Sequence, residues 1–506
     1  MRYLNPVFAA LLILARVSAS AQEEKEEEKC LCFPNQPCWP SRETWSSFNA
    51  SVSGNLVVDH DRNVPRYTIT PEGPEQIIKT LSFASSHNIP IGSISSPGLV
   101  INTSEKMRHL SAIRYMDLDR PVYAIQSSSP GVSSSSSEMI KFASESGLVV
   151  VVSDSTPGPG PGPLSSAFGL RQDNILEYEI VTARGELITA NRGENSDLFW
   201  ALRNGGGSGE DGDGLGGFGV IVTTTIRAYR DLPVSFASVS IAVSIPSSET
   251  TTTTTTTEEE TEEEEEGKIL DSFYRLLPEI VDTGAVPVFS ISPAGFILEG
   301  LAAPGLIEGE IDQLLAPFLD EVSSQQQEQQ RFSKEVETFA NYYEFYKAKH
   351  ELFALKDRDG WLVSRDVVKE GKGNGYFNIV RELVNAGFIV RQQAFNVAPK
   401  RGINSDNAVS KAWRDALLYT TVSAPFDDEE NGEEKEAALK ALHNESFEKL
   451  SALATKVGAY VDETTPLNPN WKKDFFGENY DRLESIKNKY DPDHIFYRPG
   501  AVGSDY

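Results

Sequence analysis

From Pro74 onward the apolar residues Ile77, Ile78, Leu81 and Ala84 recur every three to four positions, which predicts a helix opened by Pro74 with one buried face. Tyr67-Thr68-Ile69-Thr70 before it and Ile89 to Ile94 after it are short apolar runs that read as strands. The pattern then repeats. Val122 to Ile125 reads as a strand, Glu138 to Glu145 as a helix capped by serine, and Leu148 to Val152 as a buried strand. Thr156 to Pro163 alternates proline with glycine, so it is neither helix nor central strand and must be loop. Ile175 to Val181 and Glu186 to Ala190 flank Arg184-Gly185, which predicts a β-hairpin, and Phe218 to Tyr229 is a long β-rich run.

Thr250 to Glu266 is a run of threonine followed by a run of glutamate. It has no apolar surface to bury and is expected to be a disordered loop that interrupts a domain. Ile269, Leu270, Phe273, Leu276, Leu277 and Ile280 follow at helical spacing. Ala285 to Ser292 and Gly295 to Leu301 read as antiparallel strands, and helical patterns return in Ile311 to Leu319 and Glu436 to Val457. The fold class is α+β, with a large antiparallel sheet backed by helices in the middle of the chain. A length of 506 residues suits two packed units.

The net charge of −28 is concentrated in three segments. The glutamates of 258–266 carry eight negative charges, Glu23 to Lys29 three net and Asp427 to Glu434 six, which together make 17 of the 28. The remaining body is mildly acidic, the acidic segments read as solvated loops, and no basic patch exists to neutralise phosphates, which argues against a nucleic-acid partner. Arg2 precedes the apolar run Val7 to Ala15 and the small residues Ala19-Ser20-Ala21, which reads as a secretory signal over residues 1–21. No later segment is long and apolar enough for a membrane anchor. Asn49-Ala50-Ser51, Asn102-Thr103-Ser104 and Asn444-Glu445-Ser446 are glycosylation sequons that agree with secretion. Cys30, Cys32 and Cys38 are the three cysteines, so one local disulfide and one odd thiol are expected in an oxidising compartment. They lack a nearby histidine, and no metal site is expected.

Asp211 and Asp213 fall in a spacing that puts Val222 at the twelfth position of a calcium loop, which discounts it. Gly212, Gly214 and Gly217 match GxGxxG, yet no strand leads in and a strand follows, so a nicotinamide-type dinucleotide loop is rejected.

Three motifs stand in order along the chain. Asn195-Ser196-Asp197-Leu198-Phe199-Trp200-Ala201-Leu202-Arg203 leads through a glycine-rich stretch to Gly217-Phe218-Gly219-Val220-Ile221. Pro163-Leu164-Ser165-Ser166-Ala167-Phe168-Gly169-Leu170 precedes Asp173-Asn174-Ile175 and Ile180-Val181-Thr182. At the C-terminus stand Asn470-Trp471, Phe475-Phe476-Gly477-Glu478-Asn479-Tyr480-Asp481 and Lys489-Tyr490-Asp491-Pro492. This set resembles flavoproteins of the vanillyl-alcohol oxidase and p-cresol methylhydroxylase superfamily, and its last part resembles the berberine-bridge-enzyme-like oxidases. Cys30-Leu31-Cys32-Phe33-Pro34 with Cys38-Trp39-Pro40 is similar to the start of secreted fungal members.

The resemblance implies a Cys-containing segment over 22–44, an FAD-binding domain over 45–235, a substrate domain over 236–465 and a closing segment over 466–506. It implies FAD as cofactor, a small alcohol, sugar or secondary metabolite as substrate, and O2 as electron acceptor. Gly158, Gly160 and Gly162 would bring backbone N–H groups to the pyrophosphate, although the alternating prolines have no N–H to give, and a flexible linker is the alternative. Pro163, Leu164, Ser165, Gly169, Asn174, Ile180, Val181, Gly219, Val220 and Asn479 would line the cofactor. Tyr460, followed by Asp462 where the family carries asparagine, is the candidate base or substrate contact, the alternative being a half-buried strand tyrosine. Relatives attach FAD through a histidine in a glycine loop and a cysteine before a second one. Here those regions read Gly92-Ser93-Ile94-Ser95-Ser96-Pro97-Gly98 and Ser153-Asp154-Ser155. FAD is therefore expected to be held non-covalently, and a secreted glycoprotein that keeps the scaffold without catalysis is the competing reading.

Overall fold

The computed structural model describes residues 30–59, 65–92, 98–103, 106–107, 109–117, 120–128, 133–152, 161–203, 217–242, 259–325, 332–354, 360–369, 375–385, 387–400, 402–423, 458–459, 470–497 and 500–504. Leu31–Tyr506 forms one unit built on three sheets.

The first sheet joins β1 (Leu56–Asp59), β2 (Arg66–Ile69) and β3 (Gly98–Ile101), with β1 antiparallel and β3 parallel to β2. The helix Pro74–Ser86 lies between β2 and β3 in the chain and buries Ile77, Leu81 and Ala84 against this sheet. The second sheet contains β4 (Leu110–Asp117), β5 (Arg120–Ser127), β6 (Leu148–Val150), β7 (Ile175–Thr182), β8 (Leu187–Asn191) and β9 (Gly219–Arg230). Its order is β4-β5-β9-β7-β8, with β6 also on β9. The β7–β8 hairpin closes through Gly185, at φ +75°, whose N–H donates to Thr182 O.

The third sheet has eight strands, antiparallel at every pairing: β10 (Val234–Ala242), β11 (Val286–Ser292), β12 (Gly295–Pro304), β13 (Phe332–Phe339), β14 (Gly360–Ser364), β15 (Ile389–Ala394), β16 (Ala416–Ser423) and β17 (Gly458–Ala459). Helices Glu259–Asp282 and Glu308–Gln325 cover one face, where Phe273, Leu277, Ile280, Ile311 and Phe318 are buried. Each such apolar side chain contributes about 1.5–3 kcal/mol. The opposite face carries Val286, Val288 and Ala302, which pack with Val151, Val152, Leu164 and Ile180 of the segments around the second sheet. The expected mixed α+β architecture and large antiparallel sheet are therefore present.

Two expectations are corrected. Ile89 to Ile94 is not a strand across its described residues. Ile91 alone makes isolated parallel bridges to Leu99 and Phe496, and the strand proper begins at Gly98. One of the two partners, Phe496, comes from the chain's far end, which no local pattern reveals. The glutamate run is not wholly loop, because the helix starts at Glu259. Glutamate is a good helix former, and the apolar face from Leu270 onward anchors the extension. The odd-thiol expectation resolves as a Cys32–Cys38 disulfide with Cys30 free. The helical pattern of Glu436 to Val457 lies outside the described residues.

The C-terminal helix Tyr480–Tyr490 ends in a turn where Asp491 accepts the N–H groups of Ile495 and Phe496, both at 3.0 Å. His494 sits in this turn at φ +50°. Burial, and then the charge of Lys487, hold its imidazole below the usual 6.5, against the opposing pull of Asp491, Glu484 and Asp493. The unfolded chain thus takes up a proton near pH 6.5 that the fold resists, so this group makes stability rise with pH through that region and fall below it. Melting temperatures should be lower at pH 5.5 than at pH 7.5. His494→Asn, which tolerates the positive φ, should narrow that difference; an unchanged pH dependence would remove His494 as its source.

Candidate functional site

The segment 161–174 lies between the second and third sheets. Gly162 N–H donates to Ser165 Oγ at 2.8 Å and Gly162 O accepts Ser165 N–H at 3.0 Å, a closed turn that starts the short helix Ser165–Phe168. Leu164 enters the core, and Ser166 Oγ accepts the N–H of Asn396, just beyond β15, at 3.1 Å. Gly169 ends the helix at φ +78°, where an added Cβ would stand 2.9 Å from Asp173 Oδ2. The buried Asn174 amide donates to the carbonyls of Phe168 and Leu170, both at 2.9 Å, and its oxygen accepts from the Tyr229 hydroxyl.

Asp173 is the hub of this segment. Its carboxylate receives both terminal nitrogens of Arg414, at 2.8 and 2.6 Å, the Asn407 amide at 2.7 Å and Leu170 N–H at 2.9 Å. Arg414 also donates to Val397 O and Asn407 Oδ1, both at 3.0 Å. A planar guanidinium meeting a carboxylate in two parallel bonds fixes orientation as well as distance. It ties the loop that follows Gly162 to the segment entering β16. Behind it, the buried Arg203 guanidinium lies over the Phe199 ring and donates to the carbonyls of Phe199, Gln172, Asn404 and Asp406. Burial pushes it down to about 10, partly offset by Tyr178 and Asp173. Burial pushes the Tyr229 hydroxyl up to about 12 and raises that of Tyr178, so both stay protonated and serve as hydrogen-bonding groups rather than bases.

Replacing Gly169 by alanine is expected to cost about 1–3 kcal/mol, from the left-handed backbone and the collision with Asp173. Gly402→Ala, also at positive φ but with nothing within 4 Å, supplies the strain-only comparison. Equal melting temperatures for the two variants would show that the contact with Asp173 contributes nothing.

Other sequence-predicted residues fall nearby in different ways. Ile180 and Val181 are buried on β7, and Gly219 on β9 runs so close that a Cβ would meet Val181 O at 2.6 Å and Ile180 Cδ1 at 2.8 Å. Val220 lies in the core beneath β2 and β3. Asn479 does not cap the helix that follows it. Its amide donates to Ala408 O at 3.1 Å and Val409 O at 3.4 Å, holding the loop before Arg414. Gly158, Gly160, Tyr460 and Asp462 lie outside the described residues. Sequence reasoning missed Arg414 and Asn407 as partners of Asp173. The available signal was an aspartate inside a quoted motif, since a buried carboxylate requires a cation. Gln393 of β15, whose amide donates to Pro161 O at 3.2 Å, had no sequence signal. Among the described residues, no cluster of three or more His, Cys, Asp or Glu side chains is placed to hold a metal ion, and no helix is long and apolar enough to cross a membrane.

Comparison with known proteins agrees with this architecture. The family model described as berberine and berberine like matches residues 459–503. The FAD-linked oxidoreductase ZEB1 of Gibberella zeae is 26% identical over 577 aligned residues, covering 99% of this chain and 96% of that protein. The VAO-type flavoprotein oxidase VAO615 of Thermothelomyces thermophilus is 28% identical over 482, covering 88% and 77%. The crystal structure of the VAO-type flavoprotein MtVAO615 of Myceliophthora thermophila superimposes with a TM-score of 0.77 at 23% identity, over 94% of this chain and 97% of that one. With the three motifs, the common fold and these near-full-length likenesses together, the chain is similar throughout to FAD-linked oxidoreductases of the VAO/BBE-like type.

Proposed function

We propose that this protein is a secreted oxidase that binds FAD non-covalently between the 161–174 segment and the face of the eight-stranded sheet opposite its helices. It oxidises a small alcohol, sugar or secondary metabolite with O2 as acceptor. The observation that carries the reading is the integrity of the 162–174 segment, locked to the sheet by Asp173–Arg414 and Ser166–Asn396. The residues around it fit a ligand rich in N–H and O–H groups. The Gln393 carbonyl oxygen, on the strand that meets Pro161, and the Thr224 and Thr182 hydroxyls, on β9 and at the far end of β7, are buried without hydrogen-bond partners. FAD, when bound, supplies the two-electron acceptor that amino-acid side chains lack. The chain's part is to orient the substrate, exclude water and take the proton. Tyr460, beside Asp462, is the proposed proton acceptor. An ordinary tyrosine titrates near 10, so it needs a neighbouring positive charge or the cofactor to act as base.

Non-covalent binding is supported by the thiol inventory: Cys32 and Cys38 are joined, Cys30 is near the N-terminus, and none of the six histidines falls in a glycine loop. The disulfide, the signal-like residues 1–21 and the sequons support secretion.

The test is the visible absorption spectrum of the purified protein before and after adding FAD, followed by acid precipitation. Flavin bands in solution with a colourless precipitate are expected. A yellow precipitate overturns non-covalent binding. A colourless protein that takes up no added FAD overturns the oxidase reading in favour of a scaffold without cofactor.

A further inference from the structure

We propose that the side-chain carbonyl oxygen of Gln393 accepts a hydrogen bond from the bound flavin, from its ring N–H or a ribityl hydroxyl. This rests on the flavoprotein reading above. Gln393 is 1% exposed and sits on β15, paired with Val288 of β11 and Tyr419 of β16. Side chains alternate across a strand. Gln392 therefore points to the helix-covered face, where it exchanges hydrogen bonds with Tyr274 and Tyr376, and Gln393 points to the face that meets the 161–174 segment. There its amide nitrogen donates to Pro161 O. That contact fixes the amide's orientation, because a carbonyl can only accept and proline has no N–H to offer in return. The amide oxygen is thus turned away from Pro161, buried and without a partner. Buried carbonyl groups are left unpaired at a substantial cost, and proteins tolerate them where a ligand or water completes the bond. This amide lies between Pro161, at the start of the 161–174 segment, and the sheet face, the place proposed for the cofactor. Flavin presents donors that an amide oxygen matches.

The experiment compares the full-length wild-type protein with Gln393→Met and Gln393→Glu, titrating each with FAD after dialysis and recording melting temperature without FAD. Gln393→Met removes the acceptor with little change in length, and Gln393→Glu keeps it. FAD affinity should fall by about ten-fold or more in Gln393→Met and by less in Gln393→Glu, while the FAD-free melting temperature of Gln393→Met stays near wild type. If Gln393→Met does not fold, Gln393→Asn, which withdraws the amide by one methylene, takes its place with the same expected loss. Equal FAD affinity in wild type and the acceptor-deficient variant overturns this inference alone. Failure of the wild type to bind FAD overturns the flavoprotein reading and this inference with it.

Discussion

Asp173→Asn is expected to destabilise the protein by about 3–5 kcal/mol and to weaken FAD retention beyond what the loss of stability alone would cause. The carboxylate is almost wholly buried and takes both terminal nitrogens of Arg414, whose side chain is itself nearly out of solvent. Asparagine preserves shape and one oxygen but removes the charge. Arg414 then becomes a buried cation with no counter-charge, left with neutral acceptors alone: the remaining amide oxygen at position 173, Val397 O and Asn407 Oδ1. Removing one partner of a buried pair costs more than the pair contributes, because the remaining charge stays desolvated. Asp173→Asn combined with Arg414→Met should therefore recover part of the loss. Thermal unfolding of the single and double variants reads the stability, and flavin released on ultrafiltration reads the site. A single variant within about 1 kcal/mol of wild type would show that other contacts hold the 162–174 segment to the sheet.

Lys487→Met should cost a similar amount, about 3–5 kcal/mol, for a different piece of the architecture. The Lys487 ammonium is buried at 2.6 Å from Asp491 Oδ2 and also donates to Phe496 O and Gly217 O. Burial pulls its pKa down, with Asp491 opposing that pull. Through these bonds the C-terminal helix is tied at once to the turn that returns the chain to Ile91 and to Gly217, two residues before β9. With methionine in place, Asp491 is left as a buried carboxylate held only by two backbone N–H groups. Lys489, two residues on in the same helix, is exposed and pairs with Asp197. Lys489→Met should lower stability by less than about 1 kcal/mol, because solvent screens that pair. Comparable melting temperatures for the two variants would contradict the role given to the buried lysine.

Elements whose signal is local were legible in the sequence. The helix from Pro74, the β7–β8 hairpin around Gly185 and the β11–β12 pair each declare themselves within a dozen residues. A period of 3.6 or 2, a proline at a helix start and a glycine at positive φ are properties of short stretches. The motifs at 163–174, 195–203 and 470–491 also marked segments that meet in the fold, through Arg203 on Gln172 O and Lys489 on Asp197. The tertiary structure alone decided what those segments touch. Ile91 is bridged to Phe496 at the far end of the chain as well as to Leu99, and Asp173 finds its cation 241 residues away at Arg414. The glutamate run continues as helix because its downstream turns are anchored on the sheet. Gln393 donates its nitrogen to a proline carbonyl, which orients the amide, and its oxygen has no partner. Local backbone preference is written in neighbouring residues. The satisfaction of a buried charge or amide depends on which distant group the completed fold brings within three ångströms, and no single position in the chain carries that information.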